Sequence, residues 1–267
     1  MMDHNLHIQL REQYNPEGSE LRKLQMDLLQ ILIFFDNFCK ENNIEYWLSS
    51  GTCLGAIRHE GFIPWDDDID IEMTVDNFLK FKKLFKENEL YVLQTYDNDL
   101  FYTQPFPKLR LKNSYISEGE FDKNYKYHGA FLDIFIVEES TYLISKFCHL
   151  LMGGTRRLAY AMQSKKVSST LLKILKPTNK CIINILRYVS KPFNKKGVLR
   201  YTLGTGLSSE IRLYNDVYPF SETNFEGIKL PIPGNVDNYL KKIFGNYMEI
   251  PQSIHNHNII KNTNKNK

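Results

Sequence analysis

Hydrophobic positions from Glu20 to Asn42 recur at helical spacing: Leu21, Leu24, Leu28, Ile31 and Phe35 form one stripe, which Leu29, Leu32 and Cys39 widen. This predicts an amphipathic helix packed on a sheet. Glu45-Tyr46-Trp47-Leu48 then reads as a short strand, and Ser50-Gly51-Thr52 as a tight turn feeding a short helix from Cys53 to Arg58. At Asp68-Ile69-Asp70-Ile71 the period changes to two, the pattern of a half-buried strand with both carboxylates on one face. Helical spacing returns from Val75 to Asn88, with Phe78, Phe81, Leu84 and Phe85 inward. Tyr91 to Thr95 reads as a strand and Asp97-Asn98-Asp99 as a turn. The alternation from Phe106 to Lys112 puts Lys108, Arg110 and Lys112 on one strand face. His128 to Val137 is the most apolar strand and carries one acid, Asp133. Tyr142 to Met162 and Ser169 to Val189 follow as amphipathic helices, with a break expected at Lys176-Pro177, where proline removes a helical donor. Gly204-Thr205-Gly206 reads as a loop, and the polar tail beyond His257 as disordered.

The chemistry concentrates between Ser50 and Glu72, in SGTCLGAIRHEGFIPWDDDIDIE. Acid clusters are more often solvated turns, but here Asp66, Asp67, Asp68 and Asp70 are interleaved with isoleucines and follow Phe62-Ile63-Pro64-Trp65. Close carboxylates relieve their repulsion through a raised pKa or a bound cation, and hard oxygen ligands suit Mg²⁺ or Mn²⁺. The Ser50-Gly51-Thr52 turn would present backbone N–H groups and a hydroxyl to an anion such as phosphate. Arg58 is placed either to clamp a phosphate or to pair with a nearby aspartate. His59 reads as a base or, better, as a surface histidine, and Trp65 as packing or a base-stacking platform. Lys108, Arg110 and Lys112 on one face need solvent or an anion, for which a diphosphate is a reasonable partner. Tyr115, Phe121, Tyr125 and Tyr127 could cage a quaternary ammonium. A lone carboxylate at Asp133 needs a partner, because desolvating it costs several kcal/mol.

The run Gly51-Thr52-Cys53-Leu54-Gly55-Ala56-Ile57-Arg58-His59, continued by Gly61-Phe62-Ile63-Pro64-Trp65-Asp66-Asp67-Asp68-Ile69-Asp70, resembles the signature of the LicD family, which includes the fukutin-related proteins. A similar block recurs near the end in Phe225-Glu226-Gly227, Pro231-Ile232-Pro233, Tyr239-Leu240 and Phe244-Gly245-Asn246-Tyr247-Met248. Members usually continue with an Arg and a His; Pro251-Gln252-Ser253-Ile254-His255 keeps the His but has no Arg. The resemblance implies an α+β fold, a nucleotidyltransferase-like mixed sheet flanked by helices. It also implies metal-dependent transfer of a phospho-substituent, typically phosphocholine from CDP-choline, onto a sugar of a surface glycan such as lipopolysaccharide, teichoic acid or capsular polysaccharide. Asp133 in GAFLDIF would be the third carboxylate beside Asp68 and Asp70, the three holding Mg²⁺ or Mn²⁺. Ser50, Gly51, Thr52, Arg58, Lys108 and Arg110 would hold the phosphates. Residues 1–140 and 201–257 would then form the catalytic core around an inserted segment, 141–200, with 258–267 as the tail.

Composition adds one asymmetry. Of the 267 residues, 34 are Lys or Arg and 31 Asp or Glu, yet Thr141 to Arg200 holds thirteen of the basic residues and no acid, leaving the rest of the chain acidic. An acid-free helical segment suits an anionic surface, a membrane or a polyanionic acceptor, although basic helices are often ordinary solvated faces. No nucleic-acid motif accompanies the charge. Cys39, Cys53, Cys148 and Cys181 have neither disulfide nor zinc spacing and are expected to be reduced and buried. The polar first residues and the absence of a long uncharged apolar run point to a cytoplasmic protein, peripheral on the membrane's inner face at most. Two rival readings stay open: a nucleotidyltransferase making a CDP-activated compound, and a non-enzymatic membrane-surface module.

Overall fold

A computed structural model describes residues 4–119, 122–162, 165–201 and 210–251. The expected Gly204-Thr205-Gly206 loop, Phe121, His255 and the tail lie outside these residues. The chain runs α1 (His4–Tyr14), α2 (Glu20–Glu41), β1 (Trp47–Leu48), α3 (Ser50–His59), β2 (Asp70–Thr74), α4 (Val75–Leu84), β3 (Tyr91–Gln94), β4 (Lys108–Leu111) and β5 (Phe131–Glu139). It continues through α5 (Tyr142–Ala161), α6 (Lys165–Ser190), β6 (Val198–Tyr201), β7 (Ile211–Leu213), α7 (Tyr214–Val217), β8 (Ser221–Phe225), β9 (Ile228–Ile232) and α8 (Val236–Phe244). The fold is α+β, with helices around a mixed seven-stranded sheet and a separate β8–β9 hairpin.

β5 is the axis of the sheet. Parallel β2 lies along one edge, and antiparallel β4 and then β6 share the other. β1 extends the sheet beyond β2, β3 beyond β4, and β7 beyond β6. Alternation then sorts the two faces. Ile69, Ile71 and Met73 from the β2 region, Leu132, Ile134 and Ile136 from β5, and Leu109 and Leu111 from β4 are all buried in the main core. The α2 stripe of Leu24, Leu28, Ile31 and Phe35 joins that core. Ser19 caps α2 by accepting from Arg22 N–H, and Thr74 caps α4 from Asn77 N–H. The opposite sheet face carries Asp70, Glu72, Asp133, Lys108 and Arg110.

The structure corrects several local expectations. α4 stops at Leu84, which is exposed, while Phe85 beyond it stays buried. α1 was not foreseen, because its few apolar positions form a weak stripe. No break occurs at Pro177: α6 runs through it. A proline inside a helix costs about 3 kcal/mol, and neighbouring packing offsets this. Leu172, Asn179 and Ile183 are buried there, and Lys176 Nζ donates to the carbonyls of Asp99, Leu100 and Tyr102 at 2.6, 3.1 and 3.0 Å. Cys39, Cys53 and Cys148 are free and buried as expected, whereas Cys181 is free but exposed.

Candidate active site

Register places the reactive row. Asp133 on β5 lies opposite Asp70 on β2 and opposite Lys108 on β4. Asp68 comes from the extended segment entering β2, two residues before Asp70 and so on the same side. These four side chains, with Glu118, Phe106, Phe131 and Phe135, line a cavity of about 360 Å³. Lys108 is 2 % exposed, with Nζ 2.8 Å from Asp133 Oδ1 and 3.2 Å from Glu118 Oε2. It also lies over the Phe131 ring, 3.2 Å from the centroid. The contact with Asp133 is an ion pair without hydrogen-bond geometry, so buried Asp133 Oδ1 has no hydrogen-bond partner.

Burial sets the electrostatics. It pushes the Asp133 carboxyl above the ordinary aspartate range; Lys108 pulls against this, while Glu118 and Asp68 add repulsion. Burial also acts on Glu118, but Lys108 and Arg110 overcome it and hold that carboxyl down at about 2. The cavity thus gathers four carboxylates around the Lys108 ammonium, one of them, Glu118, shared with Arg110. A second acid group overlaps it at Asp68: Asp66, Asp67 and Asp68 each bring a ligand oxygen within 4.8 Å of the others. Hard oxygen donors of this kind suit a hard divalent cation.

Residues 43–149 match the family model described as LicD/FKTN/FKRP, nucleotidyltransferase domain. The lipopolysaccharide cholinephosphotransferase LicD of Haemophilus influenzae is 30% identical over 251 residues, covering 86% of this chain and 92% of that protein. The chain belongs to the LicD family. Shorter matches reach two further members: the ribitol-5-phosphate transferase FKTN of Mus musculus, 37% identical over 57 residues (21% of this chain, 12% of that protein), and the ribitol 5-phosphate transferase FKRP of Homo sapiens, 44% identical over 34 residues (13% and 7%). Membership, with relatives that transfer phospho-substituents, makes the chain a LicD-type transferase.

Within this LicD fold the expected site residues divide. Asp68, Asp70, Asp133 and Lys108 come together. Ser50 and Gly51 open α3, with Ser50 in a left-handed conformation at φ 45°, and Asp66 Oδ2 would lie 3.0 Å from a Cβ added to Gly51. The helix start thus borders the acid stretch through Asp66. Thr52 is withdrawn, because its buried hydroxyl accepts from Asp70 N–H at 2.8 Å. Through this bond it holds the start of β2.

The structure engages Arg58 and Arg110 in contacts within the protein. Arg58 is buried; it donates through Nη1 to the carbonyls of Tyr247 and Glu249 at 2.9 and 3.1 Å, and through Nε to His59 Nε2 at 3.0 Å. It ties down the residues after α8, and Asp66 is close enough to act on its charge. Arg110, 1 % exposed, donates to Gln94 Oε1 at 2.5 Å, to the Gly129 carbonyl at 2.7 Å and to Glu118. All three branches of its guanidinium are engaged within the protein. Lys112 pairs with Glu87 at the surface. His59 is buried, not a surface residue, with Nδ1 3.1 Å from His7 Nδ1. Trp65 is packed against Tyr14, edge to face.

Of the expected aromatic cage, Tyr115 stacks on His128 and Tyr125 packs against Tyr102, so the two are separately engaged. The rings that do border the acids are Phe106, Phe131 and Phe135. Sequence reasoning also missed Glu118, whose only signal was that two cations alternating on β4 require an anion. Glu72 was missed as well, although it shares the parity of Asp68 and Asp70. It is fully buried and accepts from Trp47 Nε1, Ser49 Oγ, the Tyr201 hydroxyl and Arg212 Nε.

Proposed function

We propose that this transferase moves phosphocholine from a CDP-activated donor to a sugar hydroxyl of a glycan or lipid-linked glycan, in the cavity of Asp68, Asp70, Asp133 and Lys108. The observation that carries the reading is the Asp70–Asp133–Lys108 row: two carboxylates on adjacent parallel strands, with an ammonium across from the deeper one. Mg²⁺ or Mn²⁺ held by Asp68, Asp70 and Asp133 would neutralise the donor diphosphate and lower the pKa of the attacking hydroxyl. The chain's own groups do the rest. Lys108, held between Asp133 and Glu118, offers its ammonium to phosphoryl oxygens. Arg110 acts through Glu118, fixing the carboxylate that positions Lys108. Ser50 and Gly51 border the acids from the start of α3, where backbone donors suit a phosphate. The acceptor hydroxyl attacks the donor phosphorus, its proton passes to a cavity carboxylate, and the bond to CMP breaks.

Choline is favoured over ribitol because the cholinephosphotransferase match covers 92% of that relative, whereas the ribitol-phosphate transferase matches span 57 and 34 residues. The test is product analysis with purified protein, Mg²⁺, CDP-choline and a glycolipid acceptor pool, with Asp70→Asn as control. CMP released by the wild type only with acceptor present, and not by Asp70→Asn, is expected. Pyrophosphate from CTP would mean nucleotidyl transfer. Consumption of CDP-ribitol or CDP-glycerol but not CDP-choline would overturn the head-group assignment.

A further inference from the structure

The helices α5 and α6 carry apolar residues on two sides, a small cluster of Cys148, Met152 and Ile183 turned to the body and a second stripe turned away from it. The side of α5 turned to the body contains Ser145, Cys148, Met152 and Thr155, and that of α6 contains Ser168, Lys176, Asn179 and Ser190 beside Leu172 and Ile183. Polar contacts secure these inner faces: Asn179 Nδ2 donates to Thr155 Oγ1 at 2.7 Å, and Ser145 Oγ to the Tyr201 carbonyl at 3.0 Å. The apolar stripes face outward. On α5, Leu143, Phe147, Leu150 and Leu158 recur at helical spacing and are 75%, 49%, 60% and 42% exposed. On α6, Val167, Ile174, Ile185 and Tyr188 do the same at 52%, 60%, 57% and 78%. Exposed apolar area of this extent marks an interaction surface.

Charge identifies what covers it. Exposed Lys146 and Arg157 flank the α5 stripe, Lys165, Lys166 and Lys173 accompany that of α6, and no acid occurs from Thr141 to Arg200. An apolar stripe edged by cations alone is the pattern of a helix lying in the interface of an anionic bilayer. A spanning role does not fit, since among the described residues no helix is long and apolar enough to cross a membrane. We infer that α5 and α6 form a docking face for an anionic lipid bilayer, with their apolar stripes inserted at the headgroup boundary. On its other side α6 packs toward the chemistry. A cavity of about 300 Å³ between α4 and α6 is lined by Lys180, Arg187 and Phe106, and Phe106 also borders the acid cavity.

The full-length protein tests this by flotation with phosphatidylglycerol–phosphatidylcholine vesicles and with pure phosphatidylcholine vesicles. The comparison is Leu143→Gln/Leu150→Gln/Ile174→Gln/Ile185→Gln, none of them in the acid cavity. The expected result is wild-type partitioning at least about tenfold stronger on the anionic vesicles, and loss of about tenfold or more in the variant. Circular dichroism and CMP release with a soluble acceptor should be unchanged, which separates this inference from the phosphocholine reading. Wild-type protein that ignores anionic vesicles, or a variant that binds as tightly as wild type, overturns the proposal. So does a wild-type dimer that the four substitutions dissociate without any effect on vesicles, since a second copy would then cover the stripes.

Discussion

Removing the charge of Glu72 tests how the sheet face beside the cavity is held. Glu72 is 0 % exposed and Arg212 4 %. The carboxylate accepts from Arg212 Nε at 3.0 and 3.2 Å, from Trp47 Nε1 at 2.8 Å, from Ser49 Oγ at 2.9 Å and from the Tyr201 hydroxyl. Arg212 Nη2 also donates to the Tyr201 oxygen at 2.6 Å. Glu72→Gln preserves volume but leaves a buried guanidinium facing a neutral amide. Breaking one side of a buried pair costs about 3–5 kcal/mol, which for a chain of this size lowers Tm by roughly 6–20 °C. Arg212→Met should cost a similar amount by stranding the carboxylate. With both groups neutral neither penalty remains, so Glu72→Gln/Arg212→Met should lose less than the sum of the single changes by about 2 kcal/mol or more. Urea unfolding followed by circular dichroism at pH 7 measures all four corners of the cycle. Single losses below about 1 kcal/mol, or a double loss equal to the sum within about 0.5 kcal/mol, would refute the reasoning.

Two shorter predictions concern the region around α3. Burial, with Arg58 and His7 adding to it, holds the His59 imidazole down at about 3, so the folded protein keeps it neutral while the unfolded chain takes up a proton below its ordinary value. Stability should therefore fall as pH drops from about 6.5, by about 2 kcal/mol at pH 5, and His59→Gln should flatten that limb in urea unfolding at the two pH values. Arg58→Met frees the Tyr247 and Glu249 carbonyls and should cost about 1–3 kcal/mol and speed hydrogen exchange after α8, with KM for the donor unchanged. A tenfold rise in KM at unchanged stability would restore the phosphate clamp.

Local patterns were readable from the chain, and pairings across distance were not. Alternation at Asp68-Ile69-Asp70-Ile71 correctly assigned the isoleucines to the core and the acids to the other face, because a strand's period of two needs no tertiary information. The Asp133 argument also drew on local chemistry, a single acid in an apolar strand, together with the family resemblance. The contacts of Arg58 and Arg110 were not legible, for one common reason. Each was read against nearby residues, but apart from the adjacent His59 the partners of Arg58 are carbonyls 189 and 191 residues away, and those of Arg110 are Gln94, Gly129 and Glu118 from three separate segments. Pro177 failed differently. The cost of a proline in a helix is legible locally, whereas the packing of Lys176 and Asn179 that offsets it is tertiary.

The same parity that was legible on β2 explains why charge is available at one end of the sheet face and not at the other. Leading into and along β2, Asp68 and Asp70 are half-buried at the cavity, and two residues further Glu72 is sealed against Arg212. Along β4 the order repeats with cations: Lys108 lines the cavity, and two residues further Arg110 is sealed among Gln94, Gly129 and Glu118. The deeper member of each pair is committed to structure and fixes its strand. The shallower member is then held at the cavity wall by a backbone that has little freedom to relax. Glu118 joins the two levels, since it holds both Arg110 and Lys108. Four carboxylates thus line the cavity around the Lys108 ammonium, with Arg110 paired to Glu118, an excess of negative charge that a cationic or metal-bridged ligand would relieve.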